Sequence, residues 1–169
     1  MGSGKDQFIE KNELVFRGQP EIGDVFVSGV NENNDELYGQ HLMFDKNLRT
    51  FWQSEKNTGE FIRIKFHRTE TLKAIELFRR FDAKTENGKE SRYEVMSRYW
   101  VDFFVYHDST LVSTKETTDG FGNPFIRGSP KDLWNSIRVP YNGLQVDELV
   151  IAFKKKMANI AELNIILVR

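Results

Sequence analysis

The clearest signal along the chain is an alternation of apolar and polar side chains over short runs. In residues 61–66, Ile62, Ile64 and Phe66 share one face while Arg63 and Lys65 take the other. A period of two marks a strand with one buried face. Residues 72–80 continue in kind, with Ile75 and Leu77 inward and Glu76 outward. Residues 101–106 set Val101, Phe103 and Val105 against Asp102, Phe104 and Tyr106. Residues 148–153 and 163–168 are two further apolar runs rich in β-branched residues, and 24–28, 111–114 and 136–139 are weaker strand candidates. Turn-forming clusters separate them at 31–35, 86–88, 119–124, 128–130 and Asn142-Gly143. One short helix is expected near residues 6–14 and a turn near 130–134, but no long segment keeps a helical period. Many short strands with Gly, Pro and Asn turns predict an all-β fold, an antiparallel β-sandwich or jelly roll of about eight strands.

A chain of 169 residues fits one domain. Met1-Gly2-Ser3-Gly4 reads as a cloning remnant, so residues 1–7 are set aside as tag and linker and 8–169 are taken as the single domain. A globule of this size buries roughly 70% of the surface its unfolded chain exposes, and needs no disulfide. Cysteine is absent, which removes thiol catalysis and thiolate metal sites. It also argues against a disulfide-stapled animal domain, while leaving a bacterial surface or periplasmic protein open. The net charge of −1 supplies no field for holding nucleic acid or an anionic membrane, and the Lys154-Lys155-Lys156 run reads as a solvated loop. No stretch is long and apolar enough to span a bilayer. The three histidines, His41, His67 and His107, are scattered, and no nucleophile, metalloprotease or phosphate-loop motif occurs. The chain is not expected to be an enzyme. His41 reads as a hydrogen-bonded structural histidine rather than a ligand contact.

One short loop carries the chemistry. Asp45, Asn47 and Thr50 fall within six positions and are followed at once by Phe51 and Trp52, while Glu162 stands at the mouth of the last apolar run. Clustered oxygen donors completed by a distant carboxylate suit a hard cation such as calcium. The alternative is an Asx-type turn in which Asp45 caps its own backbone, with Glu162 paired to Arg49 or a lysine. Trp52, between loop and strand, reads as core.

These residues carry a family resemblance. Residues 42–54 resemble the "A-x-D-G-x-x-x-T-x-W-x-S" stretch of discoidin domains, or coagulation factor V/VIII type C domains, whose galactose-binding-like fold includes many bacterial carbohydrate-binding modules. Asp45, Thr50, Trp52 and Ser54 take the matching positions. Residues 61–66 resemble the following "W-I-x-I-D-L" strand, 78–82 the "x-P-R-x-D" loop entry, and 160–165 the closing "x-A-E-(I/L)-x-(V/I)" strand. The likeness covers about residues 24–80 and 147–169. Lys46 stands where glycine is usual, which asks for a different backbone angle or a reshaped turn. Residues 90–100 look like an insertion.

The resemblance implies a structural calcium held by Asp45, Asn47, Thr50 and Glu162. It also implies a glycan-binding pocket built from loops 31–38, 53–55 and 79–87. Within these loops, Arg80 has a planar fork for two hydroxyls, against pairing with Asp82. Gln53 sits where many relatives carry histidine. Phe81 is a platform or core filler, and Glu36 and Tyr38 are pocket candidates. Phe121, among glycines, either stacks on a ligand or folds back on the sandwich. The function implied is a non-catalytic glycan-binding module, part of a larger extracellular, cell-surface or periplasmic protein of bacterial type, with other modules as partners. A membrane-lipid or protein-binding adhesion module of the discoidin type is the alternative, and a structural spacer a third.

Overall fold

The computed structural model describes residues 13–56, 59–78, 101–116, 126–127, 136–154 and 159–169. Within them the chain forms β1 (Glu13–Phe16), β2 (Gly23–Val27), β3 (Trp52–Gln53), β4 (Glu60–Phe78), β5 (Val101–His107) and β6 (Thr110–Glu116). These are followed by β7 (Ile126–Arg127), β8 (Ser136–Phe153), β9 (Asn159–Ile160) and β10 (Glu162–Val168). One short helix, α1 (Asp35–Tyr38), lies between two 3-10 turns, Asn31–Asn33 and Gln40–Met43.

The architecture is an antiparallel β-sandwich, and two long strands make it so. The first part of β4, from Glu60 to Lys65, pairs with β2 on one side and with residues 148–153 of β8 on the other. There β5 continues the layer from β8, and β6 from β5. The later part of β4 pairs with β10 and with the earlier part of β8, and β1 and β7 complete this second layer. Register shifts between Lys65 and Glu70 mark where both strands leave one layer for the other. The alternation seen in the sequence holds: Ile62, Ile64, Phe103, Val105, Leu149 and Ile151 face inward from the first layer. They join Ile75, Leu77, Val139, Leu163, Ile165 and Leu167 of the second in one buried cluster. Each such aliphatic side chain contributes about 1.5–3 kcal/mol by leaving water.

Three expectations change. The helix near residues 6–14 does not extend to its end, because Glu13 and Leu14 belong to β1, paired with Val168 and Leu167; residues 6–12 lie outside the described residues. Pairing with β10 overrides the weak local preference, as tertiary context does for short segments. Asn142-Gly143 is not a turn between strands but lies within β8. Gly143 adopts φ +66° there, at the second irregularity of the β4–β8 pairing, opposite Leu72 and Ala74, where a bulge bends the strand. Likewise the runs at 61–66 and 72–78 are one strand. The expected turn at 130–134 and the segment 90–100 lie outside the described residues.

Candidate functional site

One end of the sandwich gathers the chemistry. The Trp52 indole N–H donates to the Gly29 carbonyl at 3.0 Å, and its ring lies 5.9 Å from that of Phe153. Trp52 itself is fully buried, as its position between loop and strand suggested. Strand β3 pairs Trp52 with Ile160, and the Ala161 N–H donates to the Phe78 carbonyl at 2.7 Å. The last residues of β2, β4 and β8 therefore meet the start of β10 at this end. At the opposite end lies the β5–β6 hairpin, whose two-residue turn holds Asp108 and Ser109 at φ +50° and +63°, as such tight hairpins require.

At the first end the loop after the Gln40–Met43 turn is folded by its own side chains. The Asn47 N–H donates to Asp45 Oδ1 at 3.0 Å and to Glu162 Oε1 at 3.0 Å. The Thr50 hydroxyl donates to Asp45 Oδ2, and the Arg49 N–H donates to Asn47 Oδ1 at 2.9 Å. Lys46 sits at φ +60°, so the turn keeps the left-handed conformation that glycine takes easily and places a lysine in it. The Asx turn and the distant carboxylate thus coexist. Glu162 is buried, and burial, followed by hydrogen bonding to the neighbouring Asp45 carboxyl, pushes its pKa up to about 7. A buried carboxyl beside a second, exposed one favours a proton or a cation between them. The donor set, two carboxylates with amide and hydroxyl oxygens beside them, fits a hard oxygen-liganded cation.

The expected ligand contacts fall into two groups. Gln53 is half-buried on β3, and Tyr38, half-buried on α1, packs its ring 6.0 Å from Phe51. Helix α1 is started by Asn34, whose side chain accepts the Leu37 N–H at 3.1 Å, and it leaves Glu36 exposed. The structure therefore sets the helix bearing Glu36 and Tyr38 against the strand bearing Gln53. Arg80, Phe81 and Phe121 lie outside the described residues. His41 is exposed and lines a shallow cavity of about 350 Å³ with Phe26 and Phe44.

Other polar groups were not singled out by sequence. Glu60 is buried and accepts the Ser28 hydroxyl, whose oxygen in turn accepts the Phe61 N–H at 2.9 Å. Glu55 lies against Gly29, where an added Cβ would meet its Cβ at 3.1 Å. Asp102 is buried on an outward-facing position of β5, with Lys154 Nζ 2.8 Å from its Oδ2. The one signal for Asp102 was an acidic residue inside an apolar run. At the opposite end His107 lies between Asp108, 3.4 Å from Nε2, and Asp147, 3.5 Å from Nδ1. Among the described residues no helix is long and apolar enough to cross a membrane.

Residues 3–87 match the family model described as anaphase-promoting complex, subunit 10 (APC10). No curated protein matches this chain. Among solved structures, the chain is similar to the family 32 carbohydrate-binding module of Clostridium perfringens NanJ in complex with galactose. That match has a TM-score of 0.60 at 13% identity, covering 91% of this chain and 98% of that one. A Streptococcus pneumoniae fucose-binding module, SpX-3, aligns with a TM-score of 0.57 at 15% identity, over 84% of this chain and 91% of that one. CpGH89CBM32-5 from Clostridium perfringens, in complex with GalNAc-β-1,3-galactose, gives 0.55 at 12% identity, over 85% and 94%. At these identities the likeness is one of fold: the galactose-binding-like sandwich.

Proposed function

We propose that this chain, which belongs to the anaphase-promoting complex, subunit 10 (APC10) family, is a non-catalytic module that binds glycan at the end carrying the Asp45 loop. The observation that carries the reading is convergence. Helix α1, strand β3 and the Asp45–Glu162 pair meet at one end of a sandwich whose structural neighbours include modules solved with galactose and GalNAc-β-1,3-galactose. A sugar asks for amide and hydroxyl partners beside an aromatic face, and a small pocket suffices. Gln53 and Tyr38 offer these, Glu36 lies on the same helix, and Arg80, Phe81 and Phe121 remain the proposed further contacts.

Calcium completes the proposal. Asp45 and Glu162 would supply its charged ligands, Asn47 and Thr50 its neutral ones, with main-chain carbonyls in the remaining positions. The ion would supply stability by joining an early loop to the last strand beside the buried Glu162 carboxyl. The module would work outside the cell or at its surface, in a larger protein whose neighbouring modules add avidity to a modest single-site affinity.

A glycan array run with calcium and with chelator tests both parts. Binding that Gln53→Ala or Arg80→Ala abolishes is the expected result, and silence on the array in calcium would sink the glycan reading. Chelation should lower the melting temperature, and an unchanged melt would remove the four-ligand calcium set.

A second reading, a protein-binding module, is favoured by the family itself, which is named for a subunit of a complex. Phe26 and Phe61, 49% and 38% exposed on adjacent strands, supply an apolar surface for it. Sedimentation with anionic vesicles separates this from a lipid-binding module, since a protein-binding face should leave the chain in the supernatant.

A further inference from the structure

We infer that the outer face of the first layer, beside the proposed glycan-binding end but on a different face from its contacts, holds a site for an arginine side chain presented by a protein partner. The site follows from register. Ala152 of β8 lies between Phe61 of β4 and Asp102 of β5, and in the next outward row Val150 lies between Arg63 and Phe104. Outward-facing residues on a strand repeat every second position, so one small side chain is ringed by larger ones. The result is an open groove of about 460 Å³ with Phe61, Phe104, Val150 and Ala152 as its apolar surface, and Glu60, Asp102 and Lys154 also lining it.

The polar part of this groove is incompletely satisfied. The Asp102 side chain is 5% exposed, and Lys154 reaches its Oδ2. Its Oδ1 has no hydrogen-bond partner among the described residues. A buried charged oxygen without a donor is costly and rare in native structures. Charge points the same way. Asp102 and Glu116, which lies opposite it on β6, outnumber Lys154, while Arg63 is already neutralised by Glu148 at 2.7 Å.

The groove therefore wants a cation with several donors and an apolar stem. Arginine meets that description: its aliphatic stem suits the Ala152 and Val150 floor, and its guanidinium stacks on aromatic rings and offers five donors in a planar fork. A lysine lacks the fork, and a sugar would leave most of its hydroxyls facing an apolar wall.

The test uses the ¹⁵N-labelled full chain titrated with N-acetyl-arginine methylamide and with its neutral citrulline counterpart. Saturable shifts at the Phe61, Asp102 and Ala152 amides are expected, with the citrulline compound weaker by at least ~10-fold. Ala152→Leu, which fills the groove from an outward position, should abolish the shifts while leaving the rest of the spectrum in place. Asp102→Asn should weaken binding by about 10-fold; if that variant fails to fold, Ala152→Leu decides alone. Absence of shifts at millimolar ligand, equal binding of the citrulline compound, or undiminished binding to Ala152→Leu would each overturn the proposal.

Discussion

Lys46 shows how a single backbone angle can be read as energy. At φ +60° its Cβ crowds the following carbonyl, a penalty of roughly 1–2 kcal/mol that glycine escapes. Part of that gain is returned because glycine has more freedom in the unfolded chain. Lys46→Gly should therefore raise stability by about 0.5–1 kcal/mol, measured as a higher urea midpoint at unchanged slope; a lower midpoint would mean the lysine side chain does something the loop needs. Glu162 makes a second prediction, with a sign that can be worked out. Its pKa stands near 7 in the fold against an ordinary 4.5, so between those values the native state holds a proton that the unfolded chain has released. Stability must then fall as pH rises through that window and level off above it. Melts of the wild type in chelator from acid to neutral pH should show this decline, and Glu162→Gln should flatten it. A wild-type protein that grows more stable over the same range would contradict the carboxyl pairing.

At the scale of elements, β8 is the instructive strand. Gly143 lies inside it at φ +66°, so Gly143→Val should destabilise by about 1–2 kcal/mol with little loss of secondary structure by circular dichroism. An unchanged denaturation midpoint would mean the strand can relax its bend. The same residue shows where sequence reading stops. Alternation exposed the inward faces of β4, β5 and β8 because each lies half-buried, and side-chain period reports that directly. Asn142-Gly143 has turn chemistry, and nothing local distinguishes a turn that ends a strand from a kink that redirects it. The Asp45 loop was legible for the opposite reason: its donors are neighbours in sequence, and only Glu162 had to be brought from afar. The Asp102 groove was not, since its floor is a cross-strand relation between residues 61, 152 and 102 that no local pattern records.

The whole molecule inherits a property from β4 and β8, the strands that belong to both layers. In a sandwich whose layers are joined only by loops, one sheet can open while the other stays closed. Here opening either layer pulls on the strands that form the middle of its companion. Protection against amide exchange should therefore not divide along the layers. The amides of Ile62 and Ile64 in one and Ile75 and Leu77 in the other should converge on one opening free energy as denaturant is raised. Two separate plateaus would show that the crossing between Lys65 and Glu70 decouples the layers. Continuity of chain across the core thus becomes cooperativity: the two layers should melt together, with neither opening alone.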